Sequence, residues 1–176
     1  LQLPLWINPG YFSHDELQWG ARAAVPFDQI RFVSFSNWAS FQFRPLTFNL
    51  WLLLSHLLFE TPRLFHALFV LMGSLNALML ATLLRRAGLR PNVAFCAALV
   101  FGLSPFAVWV HGWIGCLADL IWVAASLGLV LLLQGLGSCA RAAGLAAASA
   151  VAATAIGLYA KEAALSMPAL LALGTL

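Results

Sequence analysis

Charge is what this sequence has least of: Asp, Glu, Lys and Arg together make up 9% of its 176 residues, where a soluble globular protein carries about a quarter. With so few charges and a mean hydropathy of +0.91, an ordinary water-soluble domain is excluded. The nine basic residues are scattered and form no run or stripe, so the formal charge of +3 leaves no nucleic-acid footprint. The three cysteines, Cys96, Cys116 and Cys139, lack metal-ligand spacing and read as reduced packing residues. His14, His56, His66 and His111 share no ligand spacing either, which argues against a zinc site. No charged region followed by a short apolar stretch opens the chain at Leu1, and it stops at Leu176 inside an apolar run. It therefore reads as a piece of a longer protein.

What is present is apolar sequence, 62% of the total. The composition fits an all-α, polytopic membrane protein with one membrane domain over 1–176. Residues 1–61 read as an external loop with short amphipathic helices, and 62–176 as four to five transmembrane helices. These fall at about 62–86, 91–111, 118–137, 142–160 and an incomplete 163–176. In the loop, His14 to Ala24 suits a short helix with Ser13 as N-cap and Glu16 three residues on. Pro45 to Phe59 carries no charge, but at about 1.5 Å per residue it covers roughly 22 Å, short of a hydrocarbon core of about 30 Å. It is expected to be interfacial or re-entrant, with Pro45 in its first turn. The uncharged stretch Leu64 to Leu84 runs into Arg85, Arg86 and Arg90, which marks that end as cytoplasmic. Ser104-Pro105 is the one candidate break within a span. Ala142 to Ala160 is rich in small residues that allow close helix approach.

Counting spans outward from the arginine loop puts Asp15, Glu16, Arg44, Asp119, Lys161 and Glu162 on the same, non-cytoplasmic side. Ionisable residues at a membrane edge are costly and are functional candidates, and together these could build a site for an anionic ligand. Plainer readings stand beside this one. Asp15 and Glu16 could be solvated loop acids, Lys161 a snorkelling side chain, and Asp119 a cap for the helix that follows it.

The series Asp15-Glu16 with Trp19, then Phe43-Arg44-Pro45-Leu46, then Trp113-Ile114-Gly115 with Asp119-Leu120, then Tyr159-Ala160-Lys161-Glu162 with Pro168, resembles the membrane glycosyltransferases of the GT-C superfamily. Within it the chain is most similar to the protein O-mannosyltransferase and aminoarabinose-transferase type, bacterial relatives included. The resemblance implies transfer of a sugar from a polyprenyl-phosphate donor to a protein, lipid or glycan acceptor at the outer face of the membrane. High Ala, Leu, Gly and Arg usage suits a bacterium, so the expected place is the inner (cytoplasmic) membrane with the site facing the periplasm or exterior. It implies Asp15 as the base, and Glu16 as its orienter or, with Asp15, as a holder of a divalent cation, Mg or Mn. Lys161 and Arg44 would neutralise the leaving phosphate, and Asp119 would position Lys161 or the acceptor. Glu162, Trp113 and His111 would support them, and the Pro45–Phe59 run would form a wall for the prenyl chain. Asp15 is expected to work opposite Lys161. One departure stands out: where relatives often carry a basic residue two positions before the Asp, this chain has Leu117. Alternatives to the transferase are a transporter with a charged outer site and a non-catalytic scaffold of the same fold.

Overall fold

The computed structural model describes residues 14–37, 42–136, 140–166 and 168. Among them the chain is helical throughout, with no strand. Helix α1 (His14–Ala23) carries Asp15 and Glu16 in its first turn and Arg22 in its last, each the sign that the helix dipole favours there. Its expected N-cap, Ser13, lies outside the described residues. A single 3-10 turn over Phe27–Gln29 and an extended segment lead on towards α2 (Pro45–Leu58), and α3 (Pro62–Arg86) follows. Proline sits in the first turn of both α2 and α3, where its missing N–H costs no helix bond.

The turn after α3 is closed by Gly88, whose φ of 90° lies in the left-handed region open to glycine. Its N–H bonds to the Arg85 carbonyl, and the Leu89 N–H reaches back to Leu84. These paired bonds are those of a Schellman ending, and they reverse the chain inside the arginine loop. The span expected at 91–111 is not one helix. It is α4 (Pro91–Leu103) and α5 (Pro105–Gly112), separated at Ser104, which is extended at ψ 155°. Pro105 supplies no N–H and pushes the residue before it out of helical geometry. The Ser104 hydroxyl then caps the new helix by accepting the Ala107 N–H at 3.3 Å. A 3-10 turn over Ile114–Cys116 leads into α6 (Leu117–Gly135), and α7 (Ala140–Ala160) returns to a closing 3-10 segment, Glu162–Ser166.

Three helical stretches are long and apolar enough to cross a membrane: Pro62–Arg86, Ile114–Gly135 and Ala143–Ala160. The expected count of four to five thus becomes three among the described residues, because proline divides one candidate and the last segment lies largely outside them. Leu71, Leu75 and Leu78 of α3, Val93, Phe95 and Val100 of α4 and Val151 of α7 are exposed, a density of outward apolar side chains that suits lipid. Cys96 is among the exposed residues of α4, contrary to the packing role expected for it, whereas Cys116 is buried.

The core lies at one end of the bundle. Trp19 of α1 stacks on Phe48 at 5.3 Å and meets Trp51 edge-on at 5.1 Å. This aromatic group joins Leu52, Phe65, Phe69, Ile114, Leu117 and Leu120 in one buried cluster. The segment from α1 to α2, the head of the molecule, is therefore packed onto the membrane helices. Two hydrogen bonds set the register of α3 on α6: Asn76 donates to the Leu120 carbonyl at 3.1 Å, and Arg86 to that of Leu131 at 2.9 Å. The helices run parallel, so the arginine loop and the head lie at opposite ends of the bundle. Substituting Gly88→Ala is expected to lower the unfolding free energy by about 1 kcal/mol through the left-handed strain. SDS titration of the detergent-solubilised protein measures this, and an unchanged midpoint would contradict the turn described.

Candidate functional site

The candidate site is built around the short loop from α5 to α6. Asp15 and Glu16 are neighbours in sequence, but about 100° of helical turn separates them, and they bond to different atoms of that loop. The Trp113 indole N–H donates to Asp15 Oδ2 at 3.2 Å, and the Ile114 backbone N–H donates to Glu16 Oε1 at 2.8 Å. Glu16 is fully buried, whereas the Asp15 side chain is 29% exposed and lies 3.3 Å from His14 Nε2. The two carboxylates named for a joint cation site therefore sit in different surroundings. One carboxylate faces outward at the rim, and the other is sealed inside and engaged by backbone. No group of three or more His, Cys, Asp or Glu is placed to hold a metal among the described residues.

On the far side of the loop, the Asp119 carboxylate is gripped twice at Oδ1, by Lys161 Nζ at 2.5 Å and by the Trp122 indole N–H at 3.2 Å. Arg44 and Glu162 form a two-point ion pair, Nε to Oε2 at 2.7 Å together with the terminal guanidinium nitrogen to Oε1. Lys161 is carried here by a buried bond that sequence reasoning missed, from the Thr47 hydroxyl to the carbonyl of Ala160 at 2.7 Å. Thr47 is wholly buried, so this bond fixes the end of α7 against the start of α2. A lone Thr in an apolar run gives no sign of that in sequence. Asp15, expected to work opposite Lys161, is held by Trp113, while Lys161 is held by Asp119, the residue expected to position it. Helix ends dictate this: Asp119 and Lys161 lie at the neighbouring termini of α6 and α7, whereas Asp15 projects from α1 across the loop.

His111 does not join the charged group. It is buried against Gly73, so closely that a Cβ at that position would fall 1.7 Å from its Nε2. It lines a cavity of about 430 Å³ between α3, α4, α5 and α6, together with Asn76, Phe101, Asp119, Leu120 and Val123. His111 Nδ1 and Asn76 Oδ1 have no hydrogen-bond partner there. Asn76 could have been flagged in sequence as the amide within an otherwise uncharged span.

Searches against protein-family models, curated proteins and solved structures match nothing. What the site can do rests on its own chemistry. It sets a partly exposed carboxylate at one edge of a rim and two cations at the other. Lys161 spends one of its three N–H donors on Asp119, and Arg44 turns one edge of its guanidinium to Glu162, so both keep donors for an incoming anion.

The Arg44 hydrogen bond holds Glu162 down to a pKa of about 2, from an ordinary 4.5. The same bond raises that of Arg44. Because the folded carboxyl is depressed, the pair's contribution is complete above about pH 4.5 and is lost only as the pH falls through about 2. Carboxyl ¹³C shifts of labelled Glu in micelles should show Glu162 ionised at pH 3.5, and Arg44→Gln should return its midpoint towards 4.5. Replacing Glu16 by Ala strands the buried Ile114 N–H and is expected to cost about 1–3 kcal/mol, whereas Glu16→Gln keeps an acceptor and should cost less. Equal losses in thermal unfolding would remove the anchoring role.

Proposed function

We propose that this protein is a membrane glycosyltransferase that moves a sugar from a polyprenyl-phosphate donor to a protein, lipid or glycan acceptor at the non-cytoplasmic face. One observation carries the reading. Side chains from positions 15, 119 and 161, far apart in sequence, gather at the Trp113–Asp119 segment at the end of the bundle opposite the arginine loop, with the Arg44–Glu162 pair near enough to feel Asp119. In this scheme an acceptor hydroxyl or amine attacks the anomeric carbon as the bond to the donor phosphate breaks. Asp15 takes the acceptor proton, and the departing phosphate keeps the bonding electron pair. Lys161 and Arg44 stabilise the added charge, with Asp119 and Trp122 holding the ammonium in place. Preorganised cations of this kind contribute several kcal/mol to a transition state. Glu16 takes no part beyond fixing α1 to the loop.

The route for the prenyl chain shifts in this reading. Trp51 and Leu52 of α2 are buried in the core with Trp19 of α1, which leaves little of the expected Pro45–Phe59 wall free on that side. The cavity between α3, α4, α5 and α6 is mostly apolar and reaches Asp119, so it offers a path from lipid to the rim. The arginine loop sets the orientation: with Arg85, Arg86 and Arg90 cytoplasmic, the rim faces outward, to the periplasm or exterior of a bacterial inner membrane.

A transporter is the second reading. The break at Ser104 beside a cavity holding Asn76 and His111 favours it, since broken helices beside polar groups often form transport sites. Single cysteines at positions 15, 119 and 161 separate the two. A transferase keeps them accessible from the outside throughout, whereas a transporter alternates their access with substrate. For the transferase itself, Asp15→Asn in the full-length protein is expected to abolish transfer from a polyprenyl-phosphate sugar without changing membrane insertion. Transfer at the wild-type rate would dismiss Asp15 as the base. No transfer by the wild type with any such donor would favour a non-catalytic scaffold.

A further inference from the structure

Beyond the rim, the head holds a pocket with polar side chains along its wall that the scheme above does not use. About 410 Å³ in volume, it is lined by Trp19, Arg22, Gln29 and Arg31 over an apolar floor that includes Val25 and Leu52. Its walls are fixed in place. Ile30 is buried in the core, and Asn49 clamps the next turn of chain by accepting the Val33 N–H at 2.6 Å and donating to the Val33 carbonyl at 2.9 Å. Arg31 is therefore presented by a pinned segment. Arg22 lies over the Trp19 ring, 4.8 Å from its centroid, which holds the guanidinium over the pocket by cation–π attraction.

The two arginines differ from Arg44 and Lys161 in one respect. Those cations are each paired with a carboxylate, but among the described residues no carboxylate lies within ion-pair distance of Arg22 or Arg31. The nearby Asp28 does not line the pocket. Two unneutralised guanidiniums with an amide and an indole beside them suit a phosphate ester, which accepts several N–H bonds at once. The pocket is also in line with Asp15. Asp15, Trp19 and Arg22 are spaced i, i+4, i+7 along α1 and share one stripe of it, and about 10 Å of helix rise separates the first from the last.

We propose that this pocket is an acceptor subsite: it holds a phosphate carried on the acceptor, so that a nucleophile one or two sugar rings away reaches Asp15. The proposal rests on the transferase reading for its role, but not for the existence of the site. The phosphate can belong to a soluble sugar phosphate or to a lipid head group, and both present the same ester to Arg22 and Arg31.

The test uses the full-length protein in nanodiscs of neutral phosphatidylcholine. ³¹P NMR line broadening should report saturable binding of glucose 6-phosphate, and competition by glucose should be absent. The Arg22→Gln/Arg31→Gln double variant should weaken binding roughly tenfold or more. Arg31→Lys should retain most of it, and Asp15→Asn should leave it unchanged even though transfer is lost. In discs doped with phosphatidylglycerol, enrichment of that lipid around the wild type but not the double variant would assign the phosphate to a lipid head group. Glucose 6-phosphate binding without such enrichment would assign it to a soluble acceptor. If neither probe responds to loss of the two arginines, or if glucose displaces glucose 6-phosphate, the subsite is overturned while the role of Asp15 stands. Conversely, arginine-dependent binding in a protein whose transfer survives Asp15→Asn would keep the pocket and remove the base.

Discussion

The bond from the Ile114 N–H to the buried carboxylate of Glu16 holds the head to the membrane helices, and the geometry of the rim depends on it. A carboxylate with no exposure is expensive unless its oxygens are occupied, so the position of Glu16 is tightly determined once it is inside. Fixing Glu16 fixes the first turn of α1, and with it the direction of Asp15 towards Trp113. The same turn of chain begins α6, three residues before Asp119. One hydrogen bond thus ties the carboxylate on α1 to the carboxylate on α6, with the aromatic core of Trp19, Phe48 and Trp51 sealing the joint from below.

Around that joint the other charges are arranged in neutral pairs. Lys161 with Asp119, and Arg44 with Glu162, each cancel their charge at the edge of an apolar bundle, where an unpaired ion would be drawn towards water. Pairing also limits entropy: Trp122 holds one side of Asp119 while Thr47 fixes the backbone that carries Lys161. Both cations are therefore held in place while keeping N–H donors of their own. The pairing is asymmetric. Glu162 is 57% exposed and its Arg44 partner 16%, so solvent screens the outer side of that pair more than the inner.

Much of the fold was legible because the helix boundaries are punctuated. Proline opens α2, α3, α4 and α5, arginines close α3, and Gly88 turns the chain, so the limits of 62–86 were readable from residue types alone. The break at Ser104-Pro105 was visible as a candidate, but the apolar composition around it argued for one continuous span. Proline geometry overrode composition. The candidate site was legible only as a set of residues on one side. Which carboxylate meets which cation is decided by helix termini that sequence spacing cannot order, and adjacency in sequence does not tell that Asp15 and Glu16 bond different atoms of the loop. The contributions of Thr47, Trp122 and Gly73 gave no signal beyond being small or aromatic residues in apolar runs.

Leu117 carries the remaining step. It stands where the proposed transferase reading looks for a basic residue, and it is 1% exposed in the core beside Ile114, Leu120 and Phe65. At that depth an apolar side chain fills the packing, whereas an unpaired guanidinium would be costly. In the proposed reading a phosphate at this rim draws its positive charge from the other side, from Lys161 after the end of α7 and Arg44 before α2. Thr47 joins those two elements, so the spacing of the two cations depends on its bond to the Ala160 carbonyl.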